Sequence, residues 1–181
     1  MKKILCVVGG VSAESLNKKL ALNIKEIGED ICDIEIYFPN KLPFFNKDLE
    51  KGLPDEVSFF KEKVRSCDGI LFVTPEYNYS IPAVLKNAIE WGTRPLEDNV
   101  WDEKPTAIAG ASTGMVGTAR AQMALRQIMV EVNMLTFNRP QVLVGNAQEK
   151  FDKDGKLIDE KTRQKARELI VGLVSWIDRL S

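Results

Sequence analysis

The feature that most constrains this chain is a regular alternation of short apolar runs and longer amphipathic segments over its 181 residues. Runs rich in aliphatic and β-branched residues are typical of strands buried on both faces, as in parallel sheets. Such runs predict strands at residues 3–8, 33–37, 69–74, 105–110 and 141–145. Because a helical segment follows each run, we expect one α/β domain over residues 1–181, with an open parallel sheet covered by helices on both faces.

The helices are predicted from apolar residues that recur every three or four positions. The predicted stripes are Leu16, Leu20, Ile24 and Ile27; Val57, Phe60, Val64 and Cys67; Leu85, Ala88 and Ile89; Ala121, Ala124, Leu125, Ile128 and Val132; and Ala166, Leu169, Ile170, Leu173 and Ile177. Pro82 is predicted to be the first residue of the third helix, and Asp159 the N-cap of the fifth. Each stripe suits a helix that buries one face against a sheet.

Composition excludes several classes of function. A net charge of −1 gives no field that would attract nucleic acid or anionic lipid, and no apolar run approaches the roughly 18 residues of a membrane span. The chain contains no histidine, which excludes Ser-His-Asp and Cys-His hydrolysis and most zinc chemistry. Residues 151–159 match a calcium loop only briefly and are predicted to form a turn, so no metal site is expected.

The cysteines and the N-terminus predict a cytoplasmic location. Cys6, Cys32 and Cys67 are odd in number and widely spaced, which is typical of reduced, buried thiols. The start "MKKILCVVGG" has two lysines before an apolar run, as signal peptides do. Its apolar run is too short and lacks a cleavage site, so a buried first strand is the better interpretation.

Ligands of open α/β sheets bind beyond the carboxyl ends of the strands, so the loops after strands one, three and four form the candidate site. The first of these, "GGVSAESLN" (9–17), places Ser12, Ser15 and Asn17 at the start of a helix. Hydroxyl groups and helix N-terminal amides suit a phosphate. The alternative is that Ser12 or Ser15 only caps the helix.

The loop after the fourth strand, "GASTGMVGTARAQ" (110–122), has three glycines in eight residues around Ser112 and Thr113. A flexible connection is one interpretation. Glycines cost conformational entropy, however, and that cost favours a close approach to a ligand or to another backbone.

The loop after the third strand carries the sequence Glu76-Tyr77-Asn78-Tyr79-Ser80. Its tyrosines offer flat amphipathic surfaces, and its amide and hydroxyl groups offer hydrogen bonds, which together suit a planar heteroaromatic ligand. The alternative, a hairpin of core aromatics, fits poorly because the tyrosines alternate with polar residues. A phosphate loop, a ring loop and a close-approach loop together predict a mononucleotide site, and flavin mononucleotide (FMN) fits all three.

The segment "PEYNYSIPAVLKNAIEW" (75–91) is the most specific part of a resemblance to a known family. Residues 110–127 and 151–164 match in register as well, so the resemblance covers nearly the whole chain. The chain resembles the NAD(P)H-dependent FMN reductases, particularly their branch of quinone, azo-dye and chromate reductases. That resemblance implies a flavodoxin-like three-layer sandwich with a five-stranded parallel sheet in the order 2-1-3-4-5.

The resemblance also implies which residues bind FMN. They are Gly10, Ser12, Ser15 and Asn17 for the phosphate; Pro75, Glu76, Tyr77, Asn78 and Tyr79 for the isoalloxazine, largely through backbone amides; and Ser112, Thr113 and Gly114 from the far side. The chain departs from the family at Ser12, where a basic residue is usual, and at Glu14, where a neutral one is common. We expect these changes to weaken charge-assisted phosphate binding unless Lys18 compensates.

The mechanism implied is ping-pong hydride transfer, with NAD(P)H followed by a quinone, azo, chromate-type or flavin acceptor on the same face of the flavin. A flavin accepts hydride at its own N5, so no catalytic side chain is expected, and the absence of histidine is explained. Family members are usually dimers or tetramers. Met115, Met123, Met129 and Val130 lie outside the predicted core stripe of the fourth helix or just before it, where they form either a subunit interface or ordinary exposed or semi-buried side chains.

Two alternatives remain from the sequence. A flavodoxin-type electron carrier would bind FMN without reacting directly with NAD(P)H, but such carriers are usually strongly acidic and this chain is not. A flavin-free binding or regulatory module on the same fold is favoured only by Ser12 and Glu14.

Overall fold

A computed structural model describes residues 1–181 and contains one six-stranded parallel sheet in the order β2-β1-β3-β4-β5, with β6 also paired to β4. The strands are β1 (Lys3–Val8), β2 (Asp33–Tyr37), β3 (Gly69–Val73), β4 (Pro105–Ala111), β5 (Leu135–Thr136) and β6 (Val142–Val144). The helices are α1 (Leu16–Ile27), α2 (Asp55–Ser66), α3 (Ala83–Thr93), α4 (Ala119–Glu131) and α5 (Glu160–Leu180). The predicted strand order is confirmed, but the fifth position needs a correction.

Two short strands share the edge position that was predicted for one strand at residues 141–145. β5 pairs with the start of β4 at Pro105 and Thr106, and β6 pairs with its end at Ala109–Ala111. The chain leaves the edge between them, where Pro140 has no N–H to donate to a ladder. A strand of two residues is too short to carry a periodic pattern, which is why the sequence did not predict β5.

The core is divided by the sheet into two layers, because alternate residues of each strand face opposite sides. In β1, Ile4 and Cys6 pack in the layer with α1 and α5, whereas Leu5 and Val7 pack in the layer with α2, α3 and α4. The prediction of helices on both faces is therefore confirmed. No helix of the structure has both the length and the apolar composition that crossing a membrane requires.

The last helix matches its prediction in detail. Its five predicted core residues are all buried, and the Asp159 carboxylate accepts a hydrogen bond from the Thr162 backbone N–H at 2.9 Å, as an N-cap does. At α3 the prediction is one residue off, because Pro82 has an extended ψ of 149° and precedes the first helical residue. The three cysteines are free and buried.

Helix α4 is rotated relative to the predicted stripe. Its buried residues are Ala121, Gln122, Leu125 and Met129, while Ala124 and Ile128 are only partly buried. The proposed interface role of Met129 is therefore wrong: its sulfur accepts a hydrogen bond from the Thr136 hydroxyl at 3.4 Å, beneath the unpredicted strand β5. Gln122 does not belong to the predicted apolar stripe, but it is buried, and its side-chain amide donates to the Val142 carbonyl on β6 at 3.0 Å.

Candidate functional site

The three loops singled out from the sequence meet at the carboxyl ends of β1, β3 and β4. They enclose a cleft of about 230 Å³. It is lined by Ser12, Glu14, Ser15, Leu16, Asn17, Pro75, Glu76, Tyr77, Ala111, Ser112 and Thr113. Of the predicted site residues, Gly10, Asn78, Tyr79 and Gly114 belong to the same loops but do not line this cleft.

Residues 10–17, here called the phosphate-side loop, present backbone donors. Val11 to Glu14 are exposed, and their N–H groups have no acceptor within the protein. Ser15 caps α1, because its hydroxyl oxygen accepts a hydrogen bond from the Lys18 N–H at 3.3 Å. The capping interpretation therefore holds for Ser15, and it leaves the free amides and the Ser12 hydroxyl available to an anion at the positive end of α1.

Gly10 is required by the packing of this loop. A Cβ atom at Gly10 would lie 2.2 Å from the Ser15 hydroxyl oxygen and 3.1 Å from the Asn17 Cβ. Any other residue would displace the cap of α1. Gly10 therefore acts by leaving room for the Ser15 and Asn17 side chains.

Asn17 fastens the phosphate-side loop to the end of β4. Its side-chain amide donates to the Ala111 carbonyl at 2.8 Å, and its side-chain oxygen accepts from the Ala111 N–H at 2.8 Å. The side chain is buried, so both bonds are shielded from water. Asn17 thus joins two of the three loops.

The charged side chains that line the cleft are all acidic. No lysine or arginine lines the cleft, whereas the carboxylates of Glu14 and Glu76 do. Glu14 is exposed and pairs with Lys19 at 3.1 Å. The cation paired with Glu14 is therefore Lys19.

Residues 75–80, here called the ring-side loop, form a tight hairpin turn. The N–H groups of Tyr77 and Ser80 each donate to the other residue's carbonyl at 2.9 Å, and Asn78 and Tyr79 have positive φ angles of 49° and 66°. Positive φ at both central residues is the type I′ geometry. Tyr77 and Tyr79 are 53% and 70% exposed, so they are not core aromatics.

Tyr79 is in a conformation that bulky residues rarely adopt, and its cost is of order 1–2 kcal/mol. Strain of this kind persists at sites where the side chain has a role. The Tyr79 ring lies 4.0 Å from the Arg120 guanidinium carbon, in a cation–π contact.

Glu76 ties the ring-side loop to the N-terminus of α4. One carboxylate oxygen accepts from the backbone N–H groups of Arg120 at 2.9 Å and Ala121 at 3.1 Å, and the other accepts from the Arg120 Nε at 2.6 Å. Burial alone would raise the pKa of Glu76, but the hydrogen bonds from Ala121 and Arg120 outweigh it and hold the pKa below its ordinary value.

The sequence reading missed Arg120. The resemblance implies that Glu76 lines the isoalloxazine largely through its backbone, and the structure adds that its side chain binds the N-terminus of α4. Glu76 and Arg120 are 44 residues apart, so no local spacing reveals the pair. An acidic residue that caps a distant helix gives no signal in the helix's own sequence.

The far-side loop, residues 112–117, is anchored to the end of β6. The Ser112 N–H donates to the Val144 carbonyl at 2.9 Å, and the Ala147 N–H donates to the Ser112 carbonyl at 3.0 Å. A Cβ at Gly110 would lie 2.2 Å from the Thr118 hydroxyl oxygen and 2.4 Å from the Thr74 carbonyl. The close approach that Gly110 permits is therefore to protein atoms. Thr113 is exposed at the cleft, and Gly114 is exposed beside it.

The residues present fit a flavin mononucleotide. Free amides and a hydroxyl at a helix N-terminus suit its phosphate, and exposed tyrosine rings suit its flat ring system. A cleft at the carboxyl ends of the strands, with backbone donors on one side and the Tyr77 ring on another, defines a flavodoxin-like mononucleotide-binding protein.

Comparison with known proteins narrows this class. Residues 2–149 match the family model described as NADPH-dependent FMN reductase. The chain is 39% identical to an NAD(P)H-dependent FMN reductase of Pseudomonas aeruginosa, over 98% of this chain and 96% of the relative. It is 38% identical to a quinone reductase of Pseudomonas putida, over 96% and 94% respectively. The structure of the flavoenzyme NAD(P)H:(acceptor) oxidoreductase FerB from Paracoccus denitrificans superimposes with a TM-score of 0.92 at 33% identity, over 99% of this chain and 98% of that one.

The chain belongs to the family of NADPH-dependent FMN reductases. It is an NAD(P)H-dependent flavin oxidoreductase with FMN as its cofactor. The predictions of family, fold, enzyme class and cofactor are confirmed.

Proposed function

We propose that this protein passes reducing equivalents from NAD(P)H to small oxidised acceptors in ping-pong fashion, with quinones, azo compounds, chromate-type oxyanions and flavins as candidates. One observation carries the proposal: three loops with different chemistry converge on one cleft. The names of the relatives, which include quinone reductases of Pseudomonas putida and Solanum tuberosum, support quinones among the acceptors.

The residues proposed to hold FMN fall into three groups. They are Gly10, Ser12, Ser15 and Asn17 with the amides of the phosphate-side loop; Pro75, Glu76, Tyr77, Asn78 and Tyr79 in the ring-side loop; and Ser112, Thr113 and Gly114 in the far-side loop. Within these groups the contacts of Asn17 and Glu76 support an indirect role. Asn17 fastens the phosphate-side loop to the end of β4, and Glu76 fastens the ring-side loop to α4, so both shape the cleft that the backbone amides and Ser12 would line.

When bound, FMN supplies the N5 atom that accepts the hydride. The protein therefore has to position the reactants and provide a polar environment, and it needs no side-chain base. The tyrosines of the ring-side loop are exposed and offer a flat apolar surface for one planar partner at a time. A donor and an acceptor that use one cleft must exchange places, which supports ping-pong kinetics.

We also propose that residues 1–181 form one domain that assembles as a homodimer or homotetramer in the cytoplasm. One sheet receives strands from both halves of the chain, which supports a single domain. Met115, Met123 and Val130 are 82%, 63% and 82% exposed, which suits an apolar contact between subunits. Three free, buried cysteines suit a reducing compartment. Sedimentation velocity of the purified protein measures the assembly.

An anaerobic titration of the FMN-reconstituted protein with NADPH and with NADH tests the function, with the visible absorption of the flavin as the signal. Rapid bleaching by either nucleotide is expected. Bound flavin that resists both nucleotides would indicate a flavodoxin-type electron carrier instead. Failure to retain FMN would favour a flavin-free module and direct attention to Ser12 and Glu14.

A further inference from the structure

The ring-side loop and the N-terminus of α4 form a linked unit built from Glu76, Tyr79 and Arg120. Glu76 occupies the backbone N–H groups of Arg120 and Ala121 and also the Arg120 Nε. The N–H groups of Arg120 and Ala121 are therefore unavailable to a ligand. What this end of the cleft can offer an anion is the remaining part of the Arg120 side chain.

The Arg120 side chain is held in one orientation, but only some of its hydrogen-bond donors have an acceptor in the protein. Its guanidinium lies over the Tyr79 ring at 4.0 Å, and its Nε is 2.6 Å from the Glu76 carboxylate. The two terminal nitrogens have no acceptor within the protein, and the side chain is 46% exposed. Because its Nε is already fixed by Glu76, the Arg120 guanidinium holds its two terminal nitrogens in a set orientation toward solvent. Little side-chain entropy is therefore lost when these nitrogens bind a ligand.

The Arg120 guanidinium is the positive charge attached to the wall of the cleft. No cation lines the cleft, and Arg120 is joined to its wall directly through Glu76. The Glu76 charge is also offset by two backbone amides at the positive end of α4, so Arg120 does not have to neutralise it alone. Part of the Arg120 charge therefore remains available to a second anion.

We propose that Arg120 binds a phosphate group of the nicotinamide donor and so determines which donor is preferred. A planar guanidinium with two free terminal nitrogens matches phosphate oxygens in bidentate fashion. The inference rests on the proposed function, because it takes NAD(P)H as the donor. The phosphate is either the 2′-phosphate, which only NADPH carries, or the pyrophosphate that NADH and NADPH share.

The experiment compares wild type with Arg120→Gln, Arg120→Lys and the control Arg179→Gln. Arg179 is an exposed arginine in the last turn of α5. Ile177 in the same turn packs at Gly69, where β3 begins. Arg179 therefore lies near the amino ends of the strands, away from the cleft at their carboxyl ends. KM for NADPH and for NADH is measured with FMN-loaded protein. Calorimetry with NADP⁺ and NAD⁺ gives binding without turnover, and flavin fluorescence gives the dissociation constant for FMN.

For Arg120→Gln we expect at least about a tenfold rise in KM and in the dissociation constant, with a much smaller change in kcat, because a charged hydrogen bond is lost. Arg120→Lys should recover part of the loss, and Arg179→Gln should match wild type. A loss confined to NADPH and NADP⁺ assigns the 2′-phosphate, and an equal loss with both nucleotides assigns the pyrophosphate. Either result supports the proposal.

Three results would overturn it: unchanged nucleotide binding in Arg120→Gln, a fall in kcat alone, or a comparable loss of FMN affinity. The last two would mean that Arg120 only supports Tyr79. Failure of the proposed function is distinguishable, because wild-type flavin would then not be reduced by either nucleotide.

Discussion

The phosphate-side and ring-side loops of the cleft are built in opposite ways. The ring-side loop is closed by paired backbone hydrogen bonds and held to α4 by the Glu76 carboxylate. The phosphate-side loop leaves the N–H groups of residues 11–14 without acceptors in the protein and is fixed through buried Asn17 at its end. One loop is satisfied by the protein itself, and the other has hydrogen bonds still to make.

This difference separates two roles in a flavin site. Orphan amides at a helix N-terminus gain most from an anion, because water is their only other partner. A turn that satisfies its own hydrogen bonds gains little from a ligand, but it can present side chains in a fixed geometry. We therefore expect phosphate affinity to depend on the first loop, and the choice of redox partner to depend on the second.

The largest effect is expected from Asn17→Leu, which breaks the attachment of the phosphate-side loop to the end of β4. The substitution leaves the N–H and C=O groups of Ala111 buried without partners. Each orphaned group costs about 1–3 kcal/mol, so the free energy of unfolding should fall by roughly 3 kcal/mol. Urea denaturation of the apoprotein measures this change, and fluorescence titration should show FMN binding weakened by at least about tenfold.

Asn23→Leu is the matched control, since the Asn23 side chain, elsewhere on α1, also donates to one backbone carbonyl and accepts from one backbone N–H of a distant segment. Its amide donates to the Gly155 carbonyl at 2.9 Å, and its oxygen accepts from the Leu157 N–H at 2.8 Å. We expect a similar loss of stability, with FMN affinity retained at temperatures where the variant is folded. Equal losses of FMN affinity in both variants would show that the Asn17 effect is only one of stability.

The sequence predicted the sheet, the helices and the location of the cleft because these depend on periodic patterns within short segments. Asp159 and the buried stripe of α5 are examples in which local spacing was sufficient. Glu76 with Arg120, and Asn17 with Ala111, are contacts across 44 and 94 residues, and nothing local reveals them. β5 was missed for a related reason, because its position depends on pairing with β4 and not on a pattern of its own.

A smaller effect is expected from Glu76→Gln, which loosens the ring-side loop. Glutamine can still accept from the α4 amides but loses the charge that complements the helix dipole and Arg120, a loss of about 1–2 kcal/mol at neutral pH. The pKa of Glu76 is lowered in the folded protein. Its stabilisation is therefore fully present above the ordinary value of 4.5 and is lost as the pH falls through the lowered folded pKa.

The difference in unfolding free energy between wild type and Glu76→Gln should accordingly be constant near pH 7 and shrink in acid. Urea denaturation at a series of pH values gives this difference. Glu97→Gln is the control, because it removes one negative charge from an exposed residue. A wild-type advantage that grew in acid would contradict the assigned contacts of Glu76.

The smallest effect is expected from Glu14→Gln, which removes a negative charge from the phosphate-side loop. Glu14 lines the cleft and is exposed, and Lys19 at 3.1 Å offsets its charge only in part. Removing the carboxylate should tighten FMN binding by about twofold to fivefold at low salt, the range of exposed charge interactions, and added salt should reduce the gain. Lys19→Gln should weaken FMN binding, since it leaves Glu14 unopposed.

Riboflavin, which has the same ring but no phosphate, decides whether this effect is electrostatic. Its affinity should be the same for wild type, Glu14→Gln and Lys19→Gln, because no charge on the ligand faces the loop. If riboflavin responded as FMN does, the substitutions would be acting through the shape of the loop. The orphan amides, and not the local charges, would then be what distinguishes the phosphate-side loop from the ring-side loop.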